Sequence, residues 1–341
     1  MPFEDQKIPQ VGPRLTRMDR LGAIKVRWGI GRMNYRIDPG LYAFGNPDNR
    51  SDVLVTANYK LSFDSLRSAL PRHNAWILVL DTDAVNVWCA AGKGAFGTAE
   101  LVRRIASSRL PELVSHRRLI VPQLGASGIA AHLVKKQTGF EVIYGPILSI
   151  DLPEFITSGY KAAPFMRTKR FPFWERAVLI PMELIPALKW ALLLICLMVI
   201  TGGFGGPKTF FQNTVTNSVF AAMMLTGGLF AGAALTPAML PLLPGKAFAF
   251  KGMAAGLMTS AVIVLLFLMG SWPFPGILPA MGAVLLSTGF ASFLGMNFTG
   301  ASTYTSLSGV RKEMRTAVPL QILAGIAGLL LWVASLFSKL T

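Results

Sequence analysis

Apolar and polar positions divide the chain into two halves with different periods. In the first half, residues 53–56, 76–80, 119–121 and 141–144 are short β-rich runs that read as strands. Residues 62–70, 98–110 and 127–137 read as the helices between them, with Ser62 and Asp64 as cap candidates for the first. This alternation predicts a parallel sheet with helices on its faces and a ligand site beyond the carboxyl ends of the strands. In the second half charge disappears over residues 209–245, 252–310 and 316–338. A spanning helix needs about 20 apolar residues. These stretches, with residues 184–201 ahead of them, therefore predict five transmembrane helices near 184–203, 217–239, 253–272, 277–298 and 317–337, with a break at Trp272-Pro273-Phe274-Pro275. The expected architecture is an α/β domain over 1–165, a basic linker over 166–183 and an all-α transmembrane domain over 184–341.

Loop charge gives the expected direction. Lys161, Arg167, Lys169, Arg170 and Arg176 precede the first span, Lys246 and Lys251 lie between the second and third, and Arg311, Lys312 and Arg315 precede the fifth. The alternate loops hold Lys208 and Lys339. By the positive-inside rule the N-terminal domain is expected in the cytoplasm and the C-terminus outside a cytoplasmic (inner) membrane. No cleavable signal pattern precedes the spans, which agrees with that orientation. Gly228 and Gly232, and Gly252 and Gly256, stand four apart and should let helices pack closely. No carboxylate lies mid-span, which argues against an ion-coupled transporter. Lys189 is placed to snorkel, and Cys196 reads as an apolar filler.

Composition sharpens the picture. The 341 residues are 52% hydrophobic with a net charge of +16, yet from Ala177 onward the only carboxylate side chains are Glu183 and Glu313. Lys and Arg flank the apolar segments, so membrane lipid rather than nucleic acid is the expected polyanion. The two cysteines, Cys89 and Cys196, make no disulfide framework, and cannot ligate a four-cysteine zinc ion or iron–sulfur cluster. Any electron the chemistry needs must come from a partner.

Residues 92–97 match G-x-G-x-x-G, but ten residues separate Asp81 from Gly92 and Glu112 sits in a Pro-Glu-Leu turn, so a dinucleotide is not expected. What remains is the run Asn86-Val87-Trp88-Cys89-Ala90-Ala91-Gly92-Lys93. If Cys89 opens a short helix, its backbone amides and Lys93 both favour thiolate, the metal-binding form. Ala90, Ala91 and Gly92 would leave a flat surface for a large planar ligand. The same spacing also suits a half-buried structural cysteine in a tight Ala/Gly turn.

This run resembles the signature of the mercury-methylation corrinoid proteins. The resemblance extends to Arg27-Trp28-Gly29-Ile30-Gly31, Pro39-Gly40-Leu41-Tyr42, residues 53–63, Gln123-Leu124-Gly125-Ala126, Tyr144-Gly145-Pro146 and the five-span tail. The polar half is also similar to the corrinoid-binding domain of the corrinoid iron–sulfur protein of the acetyl-CoA pathway, whose cysteine-bound cluster this sequence lacks. The resemblance implies a Rossmann-like α/β corrinoid-binding domain and a cobalamin-type corrinoid held base-off, with Cys89 as the lower axial ligand of cobalt. It implies a corrinoid-dependent methyltransferase that passes a methyl group, as a carbanion equivalent, to Hg(II) and forms methylmercury. The implied partners are a ferredoxin-like iron–sulfur electron donor and a methyltetrahydrofolate-linked methyl donor. The alternative Asp-x-His-x-x-Gly signature is absent around His73, His116 and His132, which read as structural or surface residues. Asn86 and Trp88 are expected to fix the cysteine loop and cover the lower corrin face. Thr56 and Asn58, at a strand end, and Gly125, Ala126 and Ser127, at a helix start, are candidate contacts to corrin amides or a phosphate tail. Two rival expectations are a related carrier with a non-mercury acceptor and a membrane scaffold whose polar domain only recruits partners.

Overall fold

The runs at 52–57 and 75–80 are almost wholly apolar, the composition of strands covered on both faces. In the computed structural model they form β3 (Asp52–Ala57) and β4 (Ala75–Leu80), flanked by β1 (Gln10–Val11), β2 (Gly40–Phe44), β5 (Arg118–Val121) and β6 (Glu141–Tyr144). The sheet order is β1-β2-β4-β3-β5-β6. The structure describes residues 8–204, 209–270, 272–301 and 307–337. Lys208 and Lys339, used above for direction, lie outside these, as do both chain ends.

The sheet is mixed and not parallel throughout. β4, β3, β5 and β6 run parallel, but β2 is antiparallel to β4, with Tyr42 opposite Ile77. The cause lies in residues 45–51, which join β2 to β3 on the far side of β4: the link is too short to carry the chain back along the sheet, so β3 must run opposite to β2. Gly45 takes a left-handed φ of 68° there, and Ser51 Oγ donates to Asp48 Oδ1 at 2.8 Å.

Among the described residues this unit has seven α-helices: α1 (Arg17–Arg27), α2 (Lys60–Ser68), α3 (Val87–Lys93), α4 (Thr98–Ser107), α5 (Leu110–Leu113), α6 (Ala131–Thr138) and α7 (Leu152–Thr157). Alternate strand residues serve two cores, as a period of two requires. Val55, Leu78 and Val121 pack with Phe96 and Leu101, whereas Leu54, Ile77 and Ile120 pack with Phe63, Phe155 and Met166. Met166 falls in the stretch read as a linker, and its carbonyl accepts from the Ile147 N–H at 2.9 Å.

Several boundaries differ from expectation. Tyr59 is the N-cap of α2, so Ser62 and Asp64 lie inside the helix, where Asp64 pairs with Lys60 and Arg67. The helix expected over 98–110 ends at Ser107 because Arg109, at φ 50°, turns the chain into α5. Helix α1 was not anticipated; Thr16 caps it in a reciprocal box with Asp19.

The chain divides into units Met1–Arg170 and Phe171–Thr341. The second comprises α8 (Phe173–Ala177), α9 (Ile180–Gly202), α10 (Phe210–Phe230), α11 (Thr236–Ala238), α12 (Phe248–Met269), α13 (Ile277–Asn297) and α14 (Leu307–Phe337). Among the described residues, five helical segments are long and apolar enough to cross a membrane: Phe173–Gly202, Phe210–Ala238, Phe248–Met269, Ile277–Asn297 and Ser308–Phe337. The first three and the last begin several residues before the expected starts. A Cβ at Gly228 would lie 2.6 Å from Ser287 O, and one at Gly232 2.8 Å from Ala291 Cα, so these glycines bring α10 close to α13. Between α10 and α11 one turn, Ala231–Leu235, is π-helical, and Thr236 Oγ1 donates to Ala231 O at 2.7 Å. Cys196 is exposed on α9 and fills no interior.

Candidate functional site

Three neighbouring strands, β4, β3 and β5, end side by side, and the chain segments that leave them carry the sequence-derived candidates. The segment after β4 is the most constrained. Asp83 and Ala84 both adopt left-handed backbone, at φ 53° and 58°, a costly conformation for non-glycine residues. Asn58, at the end of β3 and 1% exposed, holds it there. Its Oδ1 accepts from Thr82 N at 3.1 Å, Thr82 Oγ1 at 2.8 Å and Ala84 N at 3.2 Å, while its Nδ2 donates to Asp81 Oδ1 at 2.9 Å. Asp81 N in turn donates to Glu100 Oε1 at 2.9 Å. Burial acts to raise the Glu100 pKa, but that hydrogen bond together with Arg104 and Arg103 outweighs it and lowers the pKa.

The strained turn delivers the chain into α3 at a fixed angle. Asn86 is the N-cap and its Oδ1 accepts from Cys89 N at 2.9 Å, which puts Cys89 in the first turn of the helix. Cys89 and Trp88 are half-buried, whereas Gly92 and Lys93, three and four positions on and hence on the Cys89 face, are exposed. Val87, Ala90 and Ala91 point the other way, into the core. The flat surface expected from three small residues is thus formed on the Cys89 side by Gly92, and the alanines serve packing instead. Gly94 ends α3 at φ 85°, a left-handed C-cap, and a Cβ on Gly97 would meet the Gly94 carbonyl at 2.5 Å. The glycine spacing that mimics a dinucleotide motif has these two causes.

The segment after β5 packs against α3. A Cβ on Gly128 would collide with Phe96 O and stand 3.1 Å from Ala91 Cα, and Gly125 rests equally tightly on the Phe96 ring. Thr98 stitches the two segments together: its N–H donates to Gly128 O at 3.1 Å and its Oγ1 accepts from Ala130 N at 2.8 Å. Gly125, Ala126 and Ser127 therefore do not start a helix; a 3-10 turn, Gln123–Gly125, precedes them and α6 opens only at Ala131. Gly125 is buried, Ala126 half-buried and Ser127 exposed. Thr56, opposite Val79 in the sheet, is buried. Of the histidines, His116 bonds Ser51 O at 3.0 Å and accepts from Arg118 N, which fits a structural role. Among the described residues no group of three or more His, Cys, Asp or Glu could enclose a metal ion.

Residues 28–155 match the family described as the CO dehydrogenase/acetyl-CoA synthase delta subunit. The segment is also similar to gamma subunits of the acetyl-CoA decarbonylase/synthase complex. The Methanopyrus kandleri protein is 35% identical over 123 residues, which is 35% of this chain and 26% of the relative. The Archaeoglobus fulgidus protein is 30% identical over 121 residues, 34% and 25% of the two chains, and the Methanocaldococcus jannaschii protein 29% over 126 residues, 36% and 25%. The chain thus spans about a quarter of the length of these relatives.

Every candidate named from sequence, Thr56, Asn58, residues 86–93 and residues 125–127, lies inside the matched segment. Thr82, Asp83, Ala84, Phe96, Thr98, Glu100 and Gly128 were missed. Their one sequence signal is the density of Gly, Thr and Asp between two apolar runs, which marks a loop but not its shape.

Proposed function

We propose that the N-terminal unit binds a cobalamin-type corrinoid, base-off, with Cys89 as the lower axial ligand of cobalt, and that the chain is a methyltransferase whose acceptor is Hg(II). The observation that carries this reading is the presentation of Cys89: one half-buried thiol beside an exposed glycine, in the first turn of a capped helix, at the ends of three adjoining strands. Open sheets of this kind receive ligands at that edge. The match of residues 28–155 to a family of acetyl-CoA chemistry supports it, as does the resemblance of residues 86–93 to the mercury-methylation signature.

When bound, the corrinoid supplies a cobalt centre able to accept and donate a methyl group; the chain supplies its surroundings. Cys89 would hold the cobalt through its sulfur, a soft donor suited to a group that passes methyl to a soft cation. Asn86 fixes the helix start, Trp88 flanks the thiol, and Asn58 holds the turn that aims it. With two cysteines in the chain, the electrons for repeated cycles come from a ferredoxin-like iron–sulfur partner, and the methyl group from a methyltetrahydrofolate-linked donor. The apolar unit anchors the site in the cytoplasmic membrane, with the N-terminal unit in the cytoplasm.

The test is the visible spectrum of the corrinoid-loaded full chain, recorded beside methylmercury yield. Cys89→Ala should change the cobalt-centred bands and abolish transfer, and Cys89→His should restore a ligand yet leave transfer well below wild type. An unchanged spectrum with lost transfer would instead make Cys89 a mercury-binding thiol. A second reading, a methyl carrier with another acceptor, is favoured by the relatives' place in acetyl-CoA complexes. It predicts the same spectra with no methylmercury formed.

A further inference from the structure

The apolar unit carries a half-open cleft of about 1210 Å³ between α12, α13 and α14, which the corrinoid chemistry leaves unused. Its polar and apolar linings are segregated. Around the start of α12 stand Lys246, Lys251 and Lys312, with one carboxylate, Glu313, whose Oε1 accepts from Ala249 N at 2.6 Å. Lys251 is buried and donates to the carbonyls of Leu240 and Leu243 at 2.8 and 2.6 Å, so its charge is held by dipoles and not by a counter-ion. From Ala249 a polar chain enters the cavity: Ser292 Oγ donates to Ala249 O at 3.0 Å, and Gln321 Nε2 donates to Ser292 Oγ at 3.0 Å. Beyond it the lining is Leu257, Leu285 and Ala324.

Among the described residues two buried polar atoms behind this wall, Gln321 Oε1 and Thr288 Oγ1, have no hydrogen-bond partner. Buried polar groups are normally satisfied, and both residues line the same cleft, so a small side-chain rotation at either would meet a ligand with polar atoms at that level. The depth is also informative. Lys312 to Ala324 is twelve residues of α14, about 18 Å at 1.5 Å per residue. One leaflet contributes about half of a hydrocarbon core of roughly 30 Å.

We propose that this cavity binds an anionic glycerophospholipid, with its phosphate at Lys246 and Lys312, its ester region beside Thr288 and Gln321, and one acyl chain against Leu257, Leu285 and Ala324. Two exposed lysines, Lys246 and Lys312, on a lining with one carboxylate select a negative head, and an apolar slot one leaflet deep selects a single chain. The inference rests on the reading of these helices as membrane-spanning and is independent of the Cys89 chemistry.

The test uses the full chain in detergent, stripped of native lipid, titrated with dioleoyl phosphatidylglycerol or dioleoyl phosphatidylcholine, which share their tails. Bound lipid is counted by native mass spectrometry and unfolding is followed by temperature. Phosphatidylglycerol should bind one per chain and raise the Tm, with an affinity roughly 10- to 30-fold above that of phosphatidylcholine, as expected for two lysines at a phosphate. Lys246→Gln/Lys312→Gln should remove that preference, and Ala324→Phe, which fills the apolar end, should weaken both lipids. Equal wild-type affinity for the two lipids, or a preference that survives the double substitution, would overturn the proposal. A chain that stays dispersed without detergent would overturn the membrane reading itself, a separate outcome.

Discussion

Asn58 ties two strand ends together through one buried amide, and its removal should be felt at Cys89 although the two residues are not in contact by hydrogen bond. Asn58→Ala strips partners from the amides of Thr82 and Ala84, and should cost about 3 kcal/mol in unfolding free energy. Released from that anchor, Asp83 and Ala84 would leave the left-handed region, so corrinoid stoichiometry should fall under conditions where the chain is still folded. Asn58→Asp keeps the acceptor but sets a buried carboxylate against Asp81 Oδ1, and should recover neither. The glycines offer a contrast that chemical denaturation can read. Gly128→Ala forces a methyl into the Phe96 carbonyl and should cost about 3 kcal/mol or more, whereas Gly94→Ala meets nothing within 4 Å and costs only its backbone strain, about 1 kcal/mol. Equal losses at the two positions would show that steric approach to Gly128 is not what orders the site. A short helix at Cys89 was legible from the run itself, though it starts at Val87, and Asn86, expected to fix the cysteine loop, does so as its N-cap. The Asp83-Ala84 turn was not, because a residue 26 positions from Ala84 imposes it.

At the scale of elements, α1 and α2 are joined by charge more than by apolar contact. Lys60 bridges Asp19 and Asp64, and Arg67 bridges the same two carboxylates, at 2.5 to 2.8 Å. Burial acts to raise the Asp19 pKa, but hydrogen bonds from Lys60, Thr16 and Arg67 outweigh it and hold the carboxyl well below its ordinary 3.8. A carboxyl depressed on folding contributes stability above its unfolded pKa and loses it as pH falls toward the folded one. Asp19→Asn should therefore destabilise by about 3 kcal/mol at pH 7, and thermal unfolding should show the gap to wild type closing below about pH 3.8. A gap that persists unchanged at pH 2 would mean that Asp19 acts by packing. The same network explains why α1 escaped sequence analysis. It buries only Val26, leaving Met18, Leu21, Ile24 and Trp28 exposed, so its apolar period marks no contact with the core. Strands β3 to β6 were legible from their apolar runs. The reversed β2 was not, since its direction follows from the short link after it and not from its own composition.

For the whole molecule, the positions of five apolar helices were legible from charge-free length alone, as polar backbone inside a bilayer leaves no other solution. If all five cross, the two termini fall on opposite sides. A reporter fused after Thr341 should be active outside the cytoplasmic membrane and one fused before Met1 inside it; the same side for both would mean a miscounted span. The expected linker was less legible. Met166 joins the N-terminal core while Phe171 packs with Leu240, Phe248 and Phe298 in the other unit, so the chain passes between units over a few residues instead of eighteen.

The π-turn at Ala231–Leu235 acts as a phase adjuster. One extra residue in a helix rotates everything after it by about 100° relative to an α-helical continuation. Downstream lie Leu240 and Leu243, whose carbonyls hold the buried Lys251 ammonium. Deleting a single alanine from the turn would leave Gly228 seated on Ser287 but swing those carbonyls off Lys251, stranding a buried cation. An insertion that looks like an irregularity in α10 is thus the setting that keeps a buried charge tolerable inside an apolar helical unit.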